Sequence, residues 1–235
     1  GQDLMVLEGS PELVLPNIVD RFSIDHVTTS YTPGWHETQA IAFLEQKLPA
    51  MLSVFRGSTL FDAEQFPFEP EDLSDTFSPF RRKVEKLNIS SPMTAPSTLP
   101  PPPSAQFDAI PKAVASPHPG LPLPGGSAAG LRRLDQFLFQ THAIADYKQT
   151  RNDLDGLSGS STLSPWLASG ALSARTVAHA IFRYEREHVA NDSTYWLYFE
   201  LLWREFFHWR AVIDRQSLFR QGGRSDRRLL TTFEP

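Results

Sequence analysis

Between residues 91 and 126 lie eleven of the chain's twenty prolines, four of them in the run Pro100–Pro103. Proline fixes φ and has no amide to donate, and Ser, Ala and Gly stand between these prolines. Such a stretch cannot complete a sheet ladder or bury enough apolar surface to offset its ordering entropy. Residues 91–127 are therefore read as a linker or insertion, with a proline-rich docking peptide as the alternative. The chain divides into residues 1–90 before it and 128–235 after it.

The first part alternates between two periods. DLMVLEG (3–9), IDHVTTSY (24–31) and SVFRGSTLF (53–61) are apolar or β-branched and read as strands. Between them, SPELVLPNIVDRF (10–22) opens on Ser-Pro and sets Leu13, Ile18 and Phe22 at roughly helical spacing. HETQAIAFLEQKL (36–48) places Ile41, Leu44 and Leu48 on one stripe. A β-α-β-α-β order implies a parallel sheet with crossover helices. Three strands are too few for a sheet covered on both faces, so this α/β domain is read as incomplete at its N-terminus.

The second part is helical. Leu131, Leu134, Leu138 and Phe139 share a side of a helix read over 131–147. SPWLASGALSARTVAHAIFRYEREH (164–188) reads as one helix, a break near Gly170 and a second helix begun by Ser173. YWLYFELLWREFFHWR (195–210) continues a helix capped by Asn191, Asp192 or Ser193. The fold class is thus a partial parallel-sheet α/β domain followed by an all-α domain, both incomplete.

Charge and composition exclude several functions. The formal net charge of −5 argues against a uniformly basic coat for nucleic acid, although residues 204–228 carry seven Arg against three acids. There is no cysteine, so disulfides, thiolate metal sites and a Cys nucleophile are out. The seven histidines show no metal-ligand spacing, and no Ser-His-Asp order points to a hydrolase. The chain opens at Gly1, with no secretory signal and no apolar run long enough for a membrane span. It is expected to be soluble and intracellular; nucleus, mitochondrion, plastid and cytosol are all compatible.

Two stretches hold candidate chemistry. On the helix 194–210, Trp196, Glu200, Trp203, Arg204 and Phe207 fall on one face, with Glu200 and Arg204 four apart and able to pair. A pair at a domain edge would explain this; so would a cavity wall, with rings stacking on a flat ligand and Arg204 meeting an anion. In 147–170, Ser158, Ser160, Ser161, Thr162 and Ser164 cluster with Gly156 and Gly159 ahead of an apolar helix. Hydroxyls and free amides at a helix N-terminus suit a phosphate, and they also suit an ordinary capped loop. The Lys of a phosphate-binding P-loop is missing.

Together and in this order, YKQTRN, SSTLSPWLASGALSAR and NDSTYWLYFELLWREFF resemble the photolyase/cryptochrome flavoproteins, most of all their DASH branch. GSTLFDAEQFPF (57–68) and FSPFRRKVEKL (77–87) are similar to the end of that family's α/β antenna domain. The resemblance implies a helical domain that binds FAD. Tyr147, Ser160, Ser161, Thr162, Leu163 and Ser164 would surround the FAD phosphates, and Arg204 the flavin side. Glu200 and Trp203 would face a flipped pyrimidine dimer and act in its repair; Arg151, with Phe207, would contact DNA. The implied activity is blue-light repair of cyclobutane pyrimidine dimers, single-stranded DNA preferred, by electron transfer from excited reduced FAD. A folate antenna (5,10-methenyltetrahydrofolate) accompanies FAD in many members. Thr162 departs from the Lys or Arg of many relatives. The chain also stops before the family's remaining helices, so it is expected to be a fragment with exposed apolar surface. A non-repair cryptochrome acting as a photoreceptor would use the same residues, and a cofactor-free helical interaction module is the third reading.

Overall fold

The computed structural model describes residues 5–99, 123–153, 158–220 and 222–225. Pro100–Pro103, most of the proline-rich stretch, Gly156 and the arginines beyond residue 225 lie outside the described residues. Helix α1 (Pro11–Phe22) begins at the proline, whose missing amide costs nothing in a first turn. It ends where Ser23 turns left-handed at φ 49 and the amides of Ser23 and Ile24 return to the carbonyls of Asp20 and Val19. Strand β1 (Val27–Ser30), helix α2 (Trp35–Lys47) and strand β2 (Leu52–Phe55) follow. The strands pair in parallel from Val27 opposite Leu52 to Ser30 opposite Phe55. Val19, Leu44 and Leu48 are the buried centre of this small layer, with Leu15, Ile24 and Met51 packed on them.

Two strand assignments need correction. Residues 5–9 are not a strand, since no described strand lies beside them; Asp3 and Leu4 fall outside the described residues. The strand expected over 53–61 stops at Phe55. Beyond it the backbone bonds to side chains of the helical part: Arg204 Nη1 donates to Ser58 O at 2.6 Å, Arg175 Nε to Thr59 O at 3.0 Å, and Leu60 N donates to Glu205 Oε2 at 2.8 Å. Those groups have no strand ladder left to join.

The larger core belongs to the helices, and it also takes in Leu60, Phe61, Leu73, Phe77, Phe80, Val84 and Ile89. Helix α3 (Phe77–Val84) lies in this stretch. After the proline-rich stretch come α4 (Ser127–Asp135), a π turn (136–140), a 3-10 turn (143–146), α5 (Tyr147–Thr150), α6 (Ser164–Ala168), α7 (Ala174–Glu187) and α8 (Asp192–Asp214). The continuous helix expected over 131–147 is therefore broken. The π turn moves the register, so Phe137 joins Leu134 and Leu138 in the core while Leu131 stays 48% exposed. His142, left-handed at φ 53, then stops the run. Gly170 at φ 72 closes α6, Ser173 caps α7 through Arg175 N, and Asn191 caps α8 through the amides of Ser193 and Thr194.

Candidate functional site

Helix α8 is the wall from which the site is built. Leu197, Glu200, Leu201 and Arg204 follow one another at i, i+3, i+4 and i+7, and all four line a cavity of about 440 Å³. Facing them is the loop Ser160–Ser164, with Tyr147 from α5, Leu167 and Ala168 from α6 and Val177 from α7. One side is apolar and the other is hydroxyl-rich. Every residue expected to hold the FAD phosphates, together with Arg204 and Glu200, lies on this lining.

The loop is held from behind. Arg133 of α4 donates from Nη2 to Ser160 O at 2.7 Å and from Nε to Ser161 O and Thr162 Oγ1, both at 3.0 Å. Thr162 adopts φ 52, a left-handed conformation that costs a β-branched residue roughly 1–2 kcal/mol. The loop leads into α6, a single turn of five residues. Its polarity comes from hydroxyls and peptide groups. Tyr147 is buried, and desolvation first, then the Glu200 charge, push its hydroxyl pKa upward.

Glu200 and Arg204 do not pair with each other. Glu200 Oε1 accepts from Arg151 Nη1 at 3.0 Å and from Trp196 Nε1 at 3.1 Å. The Arg151 guanidinium also sits 5.1 Å from the centre of the Trp196 ring, within cation–π range. Arg204 instead reaches the Ser58 carbonyl, and its burial lowers its pKa. The rotamer that meets Ser58 takes the guanidinium away from Glu200, and Arg151 supplies the charge that Glu200 then needs. The carboxylate thus stands half-exposed at the cavity with its partners to one side.

Trp203 and Phe207 are absent from this lining and belong to the neighbouring face of α8. Trp203 stacks on Phe77 at 3.8 Å between centroids and on Phe207 at 5.5 Å, and Phe207 is 60% exposed. Phe199 meets Phe77 edge-on at 5.1 Å, which extends this aromatic face towards Trp196.

Residues not singled out from the sequence complete the site. Leu197, Leu201, Leu167, Ala168 and Val177 supply the apolar wall, and Arg133 supports the loop. The stripe through Glu200 and Arg204 at helical spacing was the signal for Leu197 and Leu201. No local signal marks Arg133, which lies nearly thirty positions upstream of the loop it holds.

A cavity with an apolar wall for a flat ring system, and a hydroxyl-rich loop opposite, fits a flavin nucleotide. No group of three or more potential metal-ligand side chains occurs among the described residues. No helix among them is long and apolar enough to cross a membrane.

Comparison with known proteins points the same way. Residues 1–103 match the DNA photolyase family model. Over 99% of its length the chain is 38% identical to the cryptochrome DASH of Vibrio parahaemolyticus, covering 52% of that protein. It is 38% identical to cryptochrome DASH of Synechocystis over 95% of the chain and 48% of the relative. Against the chloroplastic/mitochondrial cryptochrome DASH of Arabidopsis thaliana it is 33% identical, over 95% and 42%. The chain spans about half the length of the curated relatives it matches. The solved structure of the Synechocystis cryptochrome superposes with a TM-score of 0.88 at 36% identity, over 95% of this chain and 49% of that one. A bacterial class III photolyase from Agrobacterium tumefaciens shares the fold, with a TM-score of 0.75 at 22% identity over 89% and 45%. The DASH cryptochromes are thus similar to this chain over nearly its whole length, and its first 103 residues match the DNA photolyase family.

Proposed function

We propose that this chain forms the phosphate-side half of an FAD pocket in a blue-light-dependent flavoprotein that repairs cyclobutane pyrimidine dimers. The observation that carries the proposal is the lining of one cavity by the loop Ser160–Ser164, Tyr147, Glu200 and Arg204 together. Bound FAD supplies light-driven electron transfer. The residues of this chain bind it, orient it and exclude water from it. Ser160, Ser161, Thr162 and Ser164 offer hydroxyls and amides to the phosphates, and Leu163 closes the loop against the core. Arg204 presents positive charge to the flavin side. Glu200, steadied by Arg151 and Trp196, offers an acceptor to a pyrimidine edge. Phe207, the exposed end of the stack with Trp203, offers an aromatic face to unstacked bases, and Arg151 can exchange Glu200 for a DNA phosphate. By resemblance to the DASH branch, single-stranded DNA is the proposed substrate form and a folate the proposed antenna.

The test is repair by the full-length protein, reconstituted with FAD, photoreduced and given blue light with an oligonucleotide containing one thymine dimer. Restored thymines in the single-stranded oligonucleotide are the expected result. Intact dimers in single- and double-stranded DNA, with reduced FAD bound, would eliminate repair and leave the photoreceptor role.

A further inference from the structure

Arg133 lies outside the cavity, yet it governs the loop that lines it. Its guanidinium holds the carbonyl oxygens of Ser160 and Ser161 at 2.7 and 3.0 Å and the Thr162 hydroxyl at 3.0 Å. In a trans peptide the carbonyl and the following amide point in opposite directions, and no cis peptide occurs among the described residues. Holding the carbonyls of residues 160 and 161 on the Arg133 side therefore turns the amides of Ser161 and Thr162 away from it. The loop lines the cavity with Ser160 to Ser164, and Arg133 is not on that lining. Successive amides turned one way beside a left-handed residue, here Thr162 at φ 52, form a concave anion-binding surface.

The arginine is itself fixed. Its guanidinium lies 5.5 Å from the Phe137 ring and also bonds Gln136 at 3.3 Å. Helix α4 sits hard against Trp166, where a Cβ added at Gly130 would meet the indole at 3.0 Å. The indole Nε1 in turn bonds Pro124 O at 3.1 Å. The clamp is thus part of the helical scaffold.

We propose that Arg133 is a positioning residue for the cofactor diphosphate. It orients two peptide planes of the loop 160–162 and places a positive charge behind them, where Thr162 offers none. The inference rests on the flavin reading for its ligand and on geometry for the loop.

Arg133→Gln and Arg133→Lys in the full-length apoprotein test it, with FAD and riboflavin, which lacks both phosphates, as probes. Arg133→Gln is expected to weaken FAD binding about tenfold or more, riboflavin binding staying within about twofold, because only the diphosphate depends on the loop. Arg133→Lys, which keeps the charge, should recover part of the loss. Amide hydrogen exchange at Ser161 and Thr162 should accelerate in Arg133→Gln even without ligand. Equal losses for FAD and riboflavin would overturn the proposal in favour of a merely structural role. So would unchanged FAD affinity with unchanged exchange. A wild-type protein that binds neither probe would refute the flavin reading instead, and the exchange rates alone would then decide whether Arg133 positions the loop.

Discussion

Glu205 and His208 stand within one turn of α8 and meet burial differently, the first as a whole residue and the second at its Nε2. Glu205 is fully buried and satisfied, accepting from Leu60 N and Trp209 Nε1, both at 2.8 Å; burial raises its pKa and these bonds oppose the rise. His208 Nε2 is buried with no hydrogen-bond partner among the described residues. Burial, then the charges of Arg204 and Arg56, push its pKa from 6.5 to about 4. Between those two values the unfolded chain binds more protons at this site than the folded one. The His208 contribution is therefore present above 6.5 and lost as pH falls towards 4. His208→Leu should recover, on the order of, 1 kcal/mol of the stability lost between pH 7 and 5. Urea unfolding of wild type and variant at the two pH values measures it; equal losses would show that His208 is solvated. Arg204→Ala should lower FAD occupancy, because it removes a charged donor from a half-buried cavity wall and also frees Ser58 O. The flavin-to-protein absorbance ratio after desalting reads this directly. Glu200→Ala should keep flavin and lose repair, since its carboxylate is held by Arg151 and Trp196 and not by the loop.

At the scale of elements, α8 shows what a helical wheel delivers and where it stops. The 100° period places Trp196, Trp203 and Phe207 together, and the structure keeps them on one aromatic face. Glu200 and Arg204 lie at the border of that face, and the cavity lies on the other side of the border, with Leu197 and Leu201. Periodicity groups residues around an axis; it does not say which neighbouring element covers which sector. Here Phe77 from a distant segment covers Trp203 and leaves the next sector open. The cap of α8 was legible to within Asn191, Asp192 and Ser193 because capping is local, and Asn191→Ala should cost α8 about 1 kcal/mol, read from the midpoint of urea unfolding. The π turn after α4 was not legible, since its sequence carries an ordinary helical pattern. The contact between α4 and α6 is another non-local event. Gly130→Val should destabilise by roughly 1–3 kcal/mol through overpacking against Trp166, which is 3% exposed and anchored by its indole nitrogen.

Across the whole molecule, the stretch 58–62 ties the α/β layer to the helices. Its groups bond Arg204, Glu205 and Arg175, and Asp62 completes the tie with Arg175 Nη2 at 2.8 Å. The parallel order of β1 and β2 and the helical nature of the second part were readable from period and composition. The tie was not, because strand-like residues 58–61 end up bonded to side chains more than a hundred positions away. The same holds for the loop 160–162: its hydroxyls announce a polar surface, while Arg133, which shapes it, is visible only once the chain is folded. The central claim is that Tyr147, the loop Ser160–Ser164 and Arg204 enclose FAD. Equilibrium titration of the full-length apoprotein with FAD, followed by flavin absorbance and fluorescence, tests it most directly. A structured flavin spectrum with a Kd of ~1 μM or tighter, weakened at least tenfold by Arg204→Ala, is the predicted result. A free-flavin spectrum at saturating FAD, or binding indifferent to Arg204, would contradict it.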